Sequence, residues 1–186
     1  MGYTSQNLTF EEDRIYFIGN SGPIEVMMSW EDSLMSASAA YICQNGGDIL
    51  EIGFGMGISA GYIQSHSISS HTILENHPDI IPKALEWAAE KPNVTIITGS
   101  WYDNLNILST YDGLFYDTFA DSNIKDFSSS LTQLIKTGGV TTWWNNFPTS
   151  SNYFNIEGVE YEILNVDPPQ NFYFNHSKYY LPKKQF

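Results

Sequence analysis

The feature that most constrains this chain is the five-residue run Asp48-Ile-Leu-Glu-Ile52, which empties directly into Gly53-Phe-Gly55-Met-Gly57. A short apolar run bounded by glycines reads as a buried strand followed by a tight turn. Glycines are needed there because backbone must approach a ligand closely and take positive φ without a Cβ clash. In open α/β sheets ligands bind outside the carboxyl ends of the strands, and the first strand-to-helix turn is the prime position.

The rest of the chain repeats that alternation. The spacing predicts helices over 57–64, 78–90 (or from Pro82) and 124–135, and strands over 71–75, 93–97, 111–117 and 140–144. Strands separated by helix-length segments imply crossovers and a mostly parallel sheet with helices on both faces, a Rossmann-like α/β fold. Residues 160–166 and 175–181 are strand-like with no helix between them, which predicts an antiparallel hairpin closing one edge. We divide the chain into an N-terminal extension over 1–47, expected to fold over the site as a lid, and a single unit over 48–186.

Composition narrows the function. The chain has 8 Lys+Arg against 21 Asp+Glu, a net charge of −13. It would repel nucleic acid and anionic membrane and attract cations. A content of 42% hydrophobic and 15% aromatic residues suffices for a core. Cys43 is the one cysteine, so no disulfide or cysteine zinc site forms within the chain. His66, His71, His77 and His176 lack metal-ligand spacing, so no metal is expected. No stretch approaches the roughly 20 apolar residues of a membrane span, and the N-terminus lacks a basic region ahead of an apolar run. We expect a soluble, cytoplasmic protein, with the hairpin and aromatic surplus leaving a homodimer open.

The glycine loop is G-x-G-x-G, with Ile58 where a dinucleotide fingerprint has its third glycine. This disfavours a nicotinamide oxidoreductase. Glu51, two residues before the first glycine, suits a cationic ligand better than a pyrophosphate. Glu75 ends the second strand 22 residues beyond Gly53, where such folds place a carboxylate on the ribose hydroxyls. A nucleoside with a positive substituent is S-adenosylmethionine, which leaves S-adenosylhomocysteine after methyl transfer.

The runs ILEIGFGMGISAGYIQ, LENHPD, GSWYDNL, YDGLFYDTF and TGGV, with Val26-Met-Met-Ser-Trp30-Glu31-Asp-Ser-Leu-Met35 upstream, resemble class I methyltransferases. Specifically, they are similar to the guanidinoacetate N-methyltransferase family, whose relatives include arginine delta-N-methyltransferases. The resemblance implies a seven-stranded sheet of order 3-2-1-4-5-7-6 with its seventh strand antiparallel. It further implies that Met27, Met35, Gly53, Phe54, Gly55, Met56, Gly57, Glu75, Asn76, Ser100 and Trp101 surround the cofactor, and that Glu31 and Asp117 hold the acceptor guanidinium. Trp101 is open between stacking on adenine and packing in the core.

Two carboxylates suit that acceptor. A guanidinium is protonated and delocalised at neutral pH, with a pKa above ~12, so its nitrogens are poor nucleophiles. A carboxylate pair grips the planar N–H fork, localises charge on the nitrogens that do not react, and one member can take the departing proton. An uncharged amide nitrogen would tolerate the same pair, and a non-catalytic nucleoside-binding module is the reading from another class. After the fifth strand, Asn145-Asn-Phe-Pro148 replaces the L-T-S-W-like segment with which guanidinoacetate enzymes meet their acceptor's carboxylate. That departure makes a larger acceptor at least as suitable as guanidinoacetate: an arginine or another side-chain nitrogen in a peptide, or a natural-product small molecule.

Overall fold

The computed structural model describes residues 2–186. Its centre is a seven-stranded sheet built from β4 (Asp48–Ile52), β5 (Ser70–Glu75), β6 (Val94–Thr98), β7 (Tyr111–Tyr116), β8 (Ile135–Trp143), β9 (Glu160–Asn165) and β10 (Lys178–Gln185). The spatial order is β6-β5-β4-β7-β8-β10-β9, the 3-2-1-4-5-7-6 order anticipated above. Pairing is parallel from β6 across to β8, and β10 runs antiparallel to both β8 and β9.

Side chains alternate across the sheet with a period of two, so each strand feeds two cores. Leu50 and Ile52 of β4 join Leu114 and Tyr116 of β7 under α4 (Phe127–Leu134). Ile49 and Phe115 point the other way, toward Leu34, Met35, Ala39 and Ile42 of α1 (Asp32–Ile42). Ile73 packs with Ile80 and Ala84 beneath α3 (Ile81–Ala88), and with Ala60 of α2 (Ile58–Gln64). No helix of the described residues is long and apolar enough to cross a membrane.

Three elements differ from expectation. The 78–90 helix begins at Ile81 with Pro82 in its first turn, where a missing N–H costs no helical bond. The helix expected over 124–135 is a 3-10 turn (Ile124–Asp126) followed by α4, and Ile135 opens β8 because it pairs with Tyr111. The last strand is Lys178–Gln185 rather than 175–181. Asn175 is drawn into a side-chain-closed turn, its amide donating to the Asn171 carbonyl at 2.8 Å. Pro182 lies within β10, and its carbonyl accepts the Thr142 hydroxyl at 2.6 Å.

The N-terminal segment is itself ordered. β1 (Thr9–Phe10), β2 (Arg14–Gly19) and β3 (Gly22–Met28) form a separate antiparallel sheet. β2 and β3 are joined by the two-residue turn Asn20-Ser21. β3 runs through the 3-10 turn Ser29–Glu31 into α1, which places Met27 and Glu31 above the carboxyl ends of the central strands.

Candidate active site

A cavity of about 540 Å³ opens at the carboxyl ends of β4, β5 and β7 and extends past β8. That size lies within the range of small-molecule sites, roughly 300–1,000 Å³. One half is organised by the glycine loop. Gly53 has φ +97°, and a Cβ there would sit 1.9 Å from the Asp117 carbonyl oxygen. The loop is thereby seated directly against the end of β7, with the Asp117 N–H donating to the Ile52 carbonyl at 2.9 Å. Gly55 has φ +53°, and a Cβ there would fall 2.4 Å from the Met27 sulfur. The Met56 N–H meets that same sulfur at 3.2 Å.

Glu75 closes this half. Its Oε2 accepts the Phe54 N–H at 2.9 Å, and its Oε1 accepts those of Asn76 and His77 at 2.8 Å each. Three donors use part of a carboxylate's capacity of about four lone-pair sites, so the group can still accept from a ligand hydroxyl. Opposite it, Trp101 is 2% exposed, and its indole N–H donates to Asp121 at 2.6 Å. The Tyr116 hydroxyl donates to the same Asp121 oxygen at 2.6 Å. Trp101 and Tyr116 meet edge-on, 6.0 Å between centroids, so the indole is both a core side chain and a cavity wall.

The other half holds two carboxylates. Glu31 is 3% exposed, and its Oε1 accepts the Met28 N–H at 2.8 Å and the Tyr173 hydroxyl at 2.5 Å. Burial pushes its carboxyl up to about 8, helped by the field of Asp117 and opposed by the two hydrogen bonds. Asp117 is pushed up to about 7, again by burial first and then by the Glu51 charge. A low-dielectric cavity resists holding two negative charges. A cationic ligand would relieve both penalties at once.

Of the residues singled out from sequence, Met27, Glu31, Gly53, Phe54, Gly55, Glu75, Asn76, Ser100, Trp101 and Asp117 line this one cavity. Met35, Glu51, Met56 and Gly57 stand behind its wall. Met35 packs inside α1 against Met27, and Gly57 caps α2 in a left-handed conformation. Glu51 is fully buried, receives the Ser59 hydroxyl, and pairs with His71 Nε2 at 2.9 Å. Its charge therefore reaches the cavity through Asp117 rather than by contact. Asn145, read from sequence as part of the acceptor-side segment, lines the cavity too, whereas sequence reasoning missed Tyr3, Val26, Asp121 and Tyr173. The aromatic run Asn171-Phe-Tyr-Phe174 was the visible signal for the last. No group of three or more His, Cys, Asp or Glu among the described residues is arranged to hold a metal ion.

A family model described as guanidinoacetate N-methyltransferase matches residues 11–152. The chain belongs to that family. It is similar to protein arginine N-methyltransferase 2 of Yarrowia lipolytica, 32% identical over 197 residues covering 90% of this chain and 41% of the relative. The protein of the same name from Saccharomyces cerevisiae is 35% identical over 178 residues, covering 89% and 42%. The chain thus spans about two-fifths of these curated relatives. Among solved structures it resembles N-methyltransferase NodS from Bradyrhizobium japonicum, with a TM-score of 0.63 at 10% identity, covering 84% of this chain and 96% of that one. It also resembles spermidine synthase from Thermotoga maritima, with a TM-score of 0.66 at 11% identity, covering 96% and 72%. At these identities the structural likeness is one of fold, and it places this member of the guanidinoacetate N-methyltransferase family in the class I methyltransferase architecture.

Proposed function

We propose that this chain is an S-adenosylmethionine-dependent N-methyltransferase acting on a guanidino nitrogen, with an arginine side chain in a polypeptide as acceptor. The observation that carries the reading is the pair of carboxylates, buried Glu31 and half-buried Asp117, facing one cavity whose other half is a glycine loop and a ribose-type carboxylate. The residues fit the cofactor. Gly53 and Gly55 leave a cradle that a Cβ would fill, Glu75 would take the ribose hydroxyls, and Ser100 and Trp101 would flank the base.

When bound, S-adenosylmethionine supplies a methyl group on an activated sulfonium. The chain's own contribution is largely positioning, which can account for much of a barrier when reacting atoms are held in line. Glu31 and Asp117 would grip the guanidinium through charge-assisted bonds and draw positive charge onto the nitrogens that do not react. One of the two carboxylates takes the proton from the acceptor nitrogen, and their raised affinity for protons suits them to that role near neutral pH.

The polypeptide acceptor is favoured over guanidinoacetate by the segment after β8. The Asn145 N–H is spent on the Tyr179 hydroxyl at 2.8 Å, and the Phe147 N–H on the Asn145 side chain at 3.1 Å. Pro148 has no N–H to offer. Two of the segment's backbone donors are therefore engaged elsewhere, and at Pro148 there is none. The relatives' name, protein arginine N-methyltransferase 2, agrees with this choice.

The test is transfer of a labelled methyl group from S-adenosylmethionine into arginine peptides and into guanidinoacetate. Peptide labelling is expected, with Asp117→Asn binding cofactor normally but losing at least about 100-fold in turnover. Tight cofactor binding with no label in any guanidino acceptor would leave the chain a non-catalytic nucleoside binder.

A further inference from the structure

The loop joining β9 to β10 is not needed to complete the sheet, yet it forms one wall of the cavity through Phe172 and Tyr173. Asn171 shapes it. Its Oδ1 accepts the Tyr173 N–H at 2.9 Å and the Phe174 N–H at 2.7 Å, and its amide donates to the Phe174 carbonyl at 2.7 Å. Two bonds then tie this loop to the N-terminal segment. The Phe172 N–H donates to Glu25 at 3.1 Å, and the Tyr173 hydroxyl donates to Glu31. The partners lie 147 and 142 residues apart in sequence.

Both donors to Glu31, the Met28 N–H and the Tyr173 hydroxyl, fall on the same oxygen, Oε1. The terminal torsion of a free glutamate is broad and roughly two-fold. Two donors on one oxygen remove that freedom and leave Oε2 as the edge available to a ligand. The phenol ring is itself held, stacked on Trp30 with centroids 6.2 Å apart and edge-on to Trp144 at 5.8 Å. The hydroxyl is thus delivered by a built aromatic support.

We propose that Tyr173 is a positioning residue for methyl transfer: it pins Oε1 of Glu31, so that Oε2 meets the acceptor's N–H fork opposite Asp117. Acceptor binding then depends on the β9–β10 loop being seated against the N-terminal segment. This rests on the methyltransferase reading above. The groups bearing on Glu31 are Asp117 at the end of β7, Tyr173 from the loop, the Met28 N–H from β3 and, within reach of its charge, Tyr179 of β10. Among them the Tyr173 hydroxyl favours the ionised carboxylate, whereas Asp117 disfavours it.

The test is Tyr173→Phe, which keeps the ring and its packing and removes only the donor. Cofactor affinity by calorimetry is expected to stay within two-fold of wild type. The kcat/KM for an arginine peptide is expected to fall about 10- to 100-fold, and the acid limb of its pH profile to move to higher pH. The titration midpoint of the Glu31 carboxylate, followed by 13C NMR without turnover, should rise in the same variant. Tyr173→Gln, which restores a donor without the ring, should exceed Tyr173→Leu in kcat/KM. An active wild type matched by Tyr173→Phe in rate and pH profile, or equal Gln and Leu variants, would overturn the proposal. A wild type with no turnover would instead overturn the methyltransferase reading, and the NMR midpoint would then decide the hold of Tyr173 on Glu31 by itself.

Discussion

Replacing Glu31 by glutamine should change the way the stability of the protein depends on pH. In the folded chain burial and the Asp117 field raise Glu31 to about 8, against 4.5 for the free group. Folding therefore takes up a proton between those two values. The stability linked to that proton is fully present below about pH 4.5 and is lost as pH rises through 8. A tenfold change in proton affinity corresponds to about 1.36 kcal/mol, so the rise from 4.5 to about 8 sets a ceiling of about 5 kcal/mol. Water entering the cavity lowers the ceiling, and a loss of about 2–5 kcal/mol is expected, a large part of a typical domain's 5–15. Asp117, raised to about 7, slopes in the same direction. Glutamine keeps an oxygen for the Met28 and Tyr173 donors but cannot ionise. Urea denaturation of wild type and Glu31→Gln at intervals from pH 5 to 8 makes the comparison. The variant should gain on the wild type steadily with pH and be the more stable of the two at pH 8. Parallel curves would refute the argument, because Glu31 would then titrate alike in the folded and unfolded chains.

Three further outcomes follow from packing and hydrogen bonding. Gly55→Ala puts a methyl group 2.4 Å from the Met27 sulfur at φ +53°; calorimetry should show cofactor affinity reduced at least about 10-fold, with a loss of about 1–3 kcal/mol in stability. Glu75→Ala leaves the N–H groups of Phe54, Asn76 and His77 without their acceptor, so cofactor binding should vanish and thermal denaturation should show a loss of about 2–4 kcal/mol. Asp121→Ala strands the Trp101 indole N–H and the Tyr116 hydroxyl in the core; chemical denaturation should show a loss of about 2–4 kcal/mol, with Trp101 fluorescence altered.

The central sheet was legible because each of its strands carries its own signal. Ile49, Leu50 and Ile52 fill two faces at once, and glycines follow them at the point where the chain must turn. The places of Glu75 and Asp117 were legible for the same local reason, since one ends β5 and the other directly follows β7. The N-terminal sheet was not read, although Ile15, Phe17, Ile24 and Val26 flank a two-residue turn between Gly19 and Gly22. Its strands pair only with one another, so the alternation of the α/β unit says nothing about them. Glu51 was read as a ligand group because its spacing to the glycines is right. Its side chain lies on the sheet face that meets Ser59 and His71, which no spacing within the loop reveals. Tyr173 stands in a visible aromatic run, but its pairing with Glu31 was not legible, because a contact 142 residues long leaves no periodic trace.

The two halves of the cavity also differ in how much chain must be looped to make them. The Phe54 to Glu75 bond spans 21 residues and the Tyr173 to Glu31 bond spans 142. Loop-closure entropy grows as (3/2)RT ln n, so the second closure costs about 1.7 kcal/mol more than the first. Closure entropy must be met before a non-local contact rewards it, so long-range closures form slowly. A refolding chain should thus gain affinity for the nucleoside before it gains any for the acceptor, with the joining of residues 25–31 to 172–173 as the event that separates the two.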